Sequence, residues 1–103
     1  MRKAINPPNA PNAIGTYNQG IETDGLVFTS GQVGIDPSTG QLVGGGIDMQ
    51  AAQTLKNIEA ILNSVDLGKD SIAKLTVFVK NLDDFQSVNK AFENFFNLSL
   101  IHI

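Results

Sequence analysis

The sequence predicts a single α+β domain in which two helices pack on one face of a mixed β-sheet. Three features carry this expectation. An Asp-Gly pair separates two β-prone runs, and two later stretches repeat apolar residues at helical spacing around a short alternating run. The 103 residues suit one domain and leave no room for two.

Lys3–Asn6 is expected to form a short edge strand. Pro7, Pro8 and Pro11 then fix φ and remove backbone donors, so the following stretch is extended or looped. Tyr17–Thr23 and Leu26–Val33 flank Asp24-Gly25, a pair that favours a type I′ hairpin turn because both central residues need positive φ. Alternation puts Leu26, Phe28, Ser30 and Gln32 on one face of the second strand and Val27, Thr29 and Val33 on the other. Asp36-Pro37-Ser38-Thr39-Gly40 reads as a second turn. Gly44-Gly45-Gly46 reads as a plain flexible loop, since no lysine follows it at phosphate-loop spacing.

Asp48 can cap the first helix. Ala51, Leu55, Ile58, Leu62 and Val65 line one face, Ala52 and Ile61 broaden it, and Gly68 marks a stop. Gln50, Gln53, Lys56, Asn57, Glu59 and Asn63 are assigned to the rest of its surface. Ile72–Lys80 alternates as a strand, with Phe78 at the centre of a face that is partly wet or lines an interface. Asp83 and Gln86 have capping-box spacing before a helix whose stripe is Phe85, Val88, Phe92, Phe95 and Phe96.

Composition narrows the function. Hydrophobic residues are 42% and charged residues 17%, as in a globular chain. The net charge is −3 and Arg2 is the lone arginine, so the basic stripe of a nucleic-acid binder is missing. No apolar run reaches a membrane span, and Met1–Pro8 lacks the apolar stretch of a signal peptide; a cytoplasmic location is the expectation. With no cysteine, disulfide and thiolate chemistry are excluded for these residues. His102 has no partners at metal-ligand spacing, and Asp83-Asp84 reads as a helix cap rather than a paired-carboxylate site.

Several segments together resemble the RidA (YjgF) family. They are Asn9-Ala10-Pro11, Ala13–Gln19 with Tyr17 inside it, Phe28-Thr29-Ser30-Gly31-Gln32-Val33-Gly34, and Asp36-Pro37 with Thr39-Gly40. Gln53–Ile58, Lys74–Val79 and Asp83–Phe96 follow in family order and at near-family spacing. The resemblance implies a chorismate-mutase-like fold and a homotrimer with active sites in the clefts between subunits. It also implies cofactor-free hydrolysis of 2-enamine and 2-imino acids, a small-molecule substrate class released by pyridoxal-phosphate enzymes, to 2-keto acids and ammonia.

By the same resemblance Tyr17, Ser30, Gly31 and Asn89 would bind substrate. From residue type alone, Tyr17 could simply pack on a neighbouring strand. Ser30 reads equally as a small residue in a tight strand, and Asn89 equally as a solvated helix position. Ser30 has no evident base and is not a nucleophile, while Gln32 and Thr29 read as structural.

The sequence departs from the family pattern in three places. Thr16 stands where a proline is usual, and the glycine run before the first helix is unusual. The family's Pro-Ala-Arg segment and its late glutamate have no counterpart: Arg2 is at the wrong end, and Glu93 lies in the second helix. Residues 1–97 are therefore expected to be an incomplete domain. Residues 98–103 match what a transposase-end sequencing adapter encodes in one frame and are expected to be a non-native tail. A metabolite-binding or regulatory member of the family is the alternative function, with RNA cleavage or translation inhibition disfavoured by the acidic balance.

Overall fold

The computed structural model describes residues 2–13 and 18–96. Its elements run β1 (Arg2–Ile5), β2 (Gly20–Thr23), β3 (Leu26–Thr29), β4 (Ile35–Asp36), β5 (Gln41–Leu42), α1 (Gly46–Asn63) and α2 (Phe85–Phe96). Short 3-10 turns at Lys69–Ser71 and Leu82–Asp84 lie between the helices. This is the α+β arrangement expected, although each ladder among the described residues is antiparallel.

The hairpin forms where the Asp-Gly pair predicts it. Asp24 has φ 51° and Gly25 φ 81°, the two positive values of a type I′ turn, and Thr23 pairs with Leu26 across it. β1 adds to the outer side of β2, so that Ala4, Ile21 and Phe28 form one cross-strand row and Lys3, Glu22 and Val27 another. The pairing ends at Thr29 because the Gln19 N–H is drawn to the Asn6 side chain, at 2.8 Å.

α1 lies against the Ile5 and Val27 face of this sheet and also packs on α2. Toward the sheet, Ile61 is fully buried with Ile5 and Ala10, supported by Val27, Ala60 and Val65. Toward α2, Leu55 joins Val88, Phe92 and Phe96, with Ile72, Leu75 and Val79 packed against them. Truncating a fully buried Leu or Ile costs about 2–5 kcal/mol, so Leu55 and Ile61 are the positions on which both cores lean. The other sheet face is bare: Leu26 is 60% and Phe28 59% exposed.

Several local expectations are corrected. Asn57 is buried at 1% exposure, not on the wet side of α1. Its amide donates to the backbone carbonyls of Val33 at 3.0 Å and Ile35 at 2.9 Å, and its oxygen accepts from Gln53 at 2.9 Å. Ile35 N–H also reaches Val33 C=O at 2.8 Å, a γ-turn centred on Gly34. A Cβ on Gly34 would stand 2.7 Å from the Gln50 Cα, so only glycine lets the turn press against the helix.

The helix ends also differ from expectation. α1 is preceded by Gly45 at φ 98°, with Asp48 inside the first turn and no side-chain cap. It stops before Gly68: Asp66 takes φ 63°, and Leu67 N–H reaches back to Leu62 C=O at 2.9 Å, a Schellman-type closure. Asn81, not Asp83, caps the entry to α2, accepting from Asp83 N–H at 3.0 Å. Phe85 stays 59% exposed, so the α2 core contribution comes from Val88, Phe92 and Phe96.

Ile72–Lys80 carries one isolated β-bridge at Lys74 and no ladder. Ile72, Leu75 and Val79 bury themselves toward α2, while Phe78 is 92% exposed. The alternating pattern is therefore expressed in burial, but a strand also needs a partner backbone, and none runs beside it among the described residues. No helix among them is long and apolar enough to cross a membrane.

The second turn behaves as its residues imply. The Ser38 hydroxyl, at 2.7 Å, and the Ser38 N–H, at 2.9 Å, both donate to the Asp36 carboxylate and hold its pKa below the ordinary 3.8. A depressed folded pKa means stabilisation that is present above the unfolded value and lost as pH falls through the folded one. Asp36→Asn should therefore flatten the acid limb of a stability–pH curve below about pH 4, measured by urea unfolding. Asn57→Ala should lower unfolding free energy by about 2–3 kcal/mol in the same assay, through two lost carbonyl bonds and a buried hole. A loss below about 0.5 kcal/mol would show that the 33–35 turn holds itself.

Candidate functional site

The end of the β2–β3 ladder farthest from the hairpin turn is organised by amide side chains. Gln19, 2% exposed, donates its Nε2 to the carbonyls of Ala10, at 3.0 Å, and Pro11. Its backbone N–H goes to Asn6 Oδ1, and Asn6 Nδ2 in turn donates to Asn18 Oδ1 at 2.9 Å. A proline-rich loop has few backbone donors of its own, so these side chains replace the missing ladder bonds. Gln19 Oε1 finds no donor among the described residues.

Ser30 sits on the same knot. Its N–H donates to Gln19 C=O at 2.9 Å and its hydroxyl to the Asn18 carbonyl. The hydroxyl proton is thus committed to the backbone, which leaves the oxygen's lone pairs as acceptors. Gln32 Nε2 folds back on the Ser30 carbonyl at 3.4 Å. Beside Ser30, no atom of the described residues stands within 4 Å of where a Cβ on Gly31 would be, so they leave the backbone there accessible. Asn89 lies on an exposed part of α2 and donates to Glu93 Oε1, one helical turn on, at 3.4 Å. Tyr17 lies outside the described residues, as do residues 98–103.

Of the expected site residues, Ser30 and Gly31 are brought together by chain adjacency. Asn89 makes no hydrogen bond with either. Sequence reasoning missed Gln19 and Asn6, which set the Ser30 backbone in place. The available signal was a run of amides, Asn18-Gln19, next to a loop too rich in proline to satisfy itself. Among the described residues, no three His, Asp or Glu side chains cluster as metal ligands.

The family model described as Endoribonuclease L-PSP matches residues 7–102. The chain is 42% identical over 100 residues to a mouse protein named 2-iminobutanoate/2-iminopropanoate deaminase, covering 97% of this chain and 74% of that one. This chain belongs to the RidA (YjgF) family. A Salmonella typhimurium RidA relative of the same name is 47% identical over 96 residues, covering 93% of this chain and 74% of its own. The crystal structure of the YjgF gene product from E. coli superposes with a TM-score of 0.89 at 40% identity, covering 98% of this chain and 79% of that one. The expected fold is therefore the observed one.

Gln19→Leu keeps the volume but removes both bonds to the proline loop. It should cost about 2 kcal/mol in urea unfolding and speed hydrogen exchange at the Ser30 amide. Unchanged exchange at Ser30 would mean that the knot does not depend on Gln19.

Proposed function

We propose that the protein to which this chain belongs hydrolyses 2-imino acids, and the 2-amino enamines that tautomerise to them, giving 2-keto acids and ammonia. The observation that carries this reading is the pair of relatives, 42% and 47% identical, that bear the name of that deaminase. In the reaction, water adds to the electrophilic C=N carbon to form a carbinolamine. The nitrogen takes a proton, the C–N bond breaks and ammonia leaves, so no electrons are exchanged and no cofactor is required.

Each residue has a role in this reading. By the family resemblance Tyr17 offers substrate its hydroxyl, and Gly31 admits the planar imine to the backbone. The Ser30 oxygen accepts a hydrogen bond from the substrate nitrogen or the attacking water, and Asn89 faces the cleft from α2. The substrate carboxylate needs a cation, best a guanidinium that grips both oxygens. Within one copy Arg2 lies away from Ser30, because it pairs with Thr23 at the hairpin end of the sheet. Ser30 follows Thr29 at the opposite end, roughly 13 Å away at strand rise.

The reading therefore places the family's arginine, and its water-positioning glutamate, on polypeptide that continues past Asn97 in the intact gene. It also takes the bare face of Ile21, Leu26 and Phe28, with Phe78, as the surface that copies of the chain cover in a homotrimer, with the clefts between copies as active sites. Its role would be to clear reactive enamines in the cytoplasm beside the pyridoxal-phosphate enzymes that release them.

A metabolite-binding member without catalysis is the second reading, favoured by the distance of Arg2 from Ser30. The net charge of −3 opposes RNA cleavage, although the matching family model is described as Endoribonuclease L-PSP.

The test follows ammonia release from freshly generated 2-aminoacrylate. The purified 103-residue chain should give no rate above the spontaneous one and no clean trimer, whereas the protein from the intact gene should give both. An intact protein that binds the keto acid but never accelerates hydrolysis would replace the enzyme with the binding module. Robust turnover by the 103-residue chain would overturn the assignment of the carboxylate anchor.

A further inference from the structure

A cavity of about 390 Å³ lies in the groove between α1 and α2, and neither Ser30, Gly31 nor Asn89 lines it. That volume is within the range of small-molecule sites. α1 contributes Asp48, Ala52, Leu55 and Lys56, at steps of four, three and one, which place them on one stripe of the helix. α2 contributes Ser87, Lys90, Ala91, Asn94 and Phe95, a matching stripe on its facing side.

The chemistry of the two stripes is complementary. Leu55 is buried, and Ala52, Ala91 and Phe95 are half-buried, so they make an apolar floor. Lys56 and Lys90 stand exposed at its rim, one from each helix, and neither makes an ion pair among the described residues. A third ammonium, Lys69, sits 5.1 Å from the centroid of the Phe95 ring. Asp48 is the one acid in the lining, and Ser87 and Asn94 add hydrogen-bonding groups. In an acidic chain of net charge −3, this groove is a local concentration of positive charge over an apolar surface.

We propose that the α1–α2 groove binds a small monocarboxylate with an apolar body, the acid group between Lys56 and Lys90 and the hydrocarbon on Ala52, Ala91 and Phe95. This site is separate from the Ser30 region and does not depend on deaminase activity. The carboxylate gains two cationic partners, while the apolar floor selects against a fully hydrated anion such as phosphate.

The probe is hexanoate, followed by saturation-transfer NMR on the purified chain, a measurement that works in any oligomeric state. Hexan-1-ol and inorganic phosphate are the comparators. Saturable transfer from the hexanoate methylene protons is expected, with a dissociation constant about tenfold tighter than that of hexan-1-ol. Lys56→Gln with Lys90→Gln keeps the stems, and both positions are exposed, so the fold is retained; this double variant should weaken hexanoate about tenfold and leave hexan-1-ol unchanged. The proposal fails if hexan-1-ol binds as tightly as hexanoate, if the double variant leaves hexanoate unaffected, or if Lys3→Gln weakens it equally.

Discussion

The structure depends on one buried amide. Asn57 rises from the middle of α1 and holds two backbone carbonyls of the 33–35 turn, while Gln53 fixes its own oxygen. That turn reverses the chain between β3 and β4, and its approach is close enough that Gly34 has no room for a side chain. The β4–β5 hairpin is tied to the same point, because Val43 N–H donates to Gly34 C=O at 2.9 Å. A buried amide is costly unless every bond is made, and here the oxygen and the amide hydrogens are used, which fixes the helix axially against the sheet.

α1 then works in two directions. Ile61 faces the Ile5 and Val27 side of the sheet, and Leu55 faces the phenylalanines of α2. Both cores lie on the helix side, so the opposite sheet face, with Leu26 and Phe28, is left uncovered by the described residues. The same asymmetry explains Phe78, which is outermost on a segment whose inward residues already reach α2.

The candidate site inherits its geometry from the far end of the sheet. Prolines strip the 7–11 loop of donors, Gln19 compensates by bonding its carbonyls, and the Ser30 backbone is held by Gln19 in turn. The resulting feature is a strip of backbone at Gly31 left uncovered by the described residues, beside the Ser30 oxygen.

Local signals were legible in the residues alone. Asp24-Gly25 dictates the hairpin because positive φ is a property of the turn itself, and the spacing of Ala51, Leu55, Ile58 and Leu62 dictates a helix and its inner face. The resemblance carried by the segments from Asn9 to Phe96 was equally legible, since it resides in residue order. Partner-dependent features were not. Asn57 looks like a solvated helix residue until the 33–35 carbonyls arrive from more than twenty positions away. Ile72–Lys80 has a strand's alternation, but a ladder requires a second backbone. The sequence by itself determined the elements whose causes lie within a few residues; the tertiary structure decided the buried amide and the bare sheet face, because each is set by hydrogen bonds or burial between distant segments.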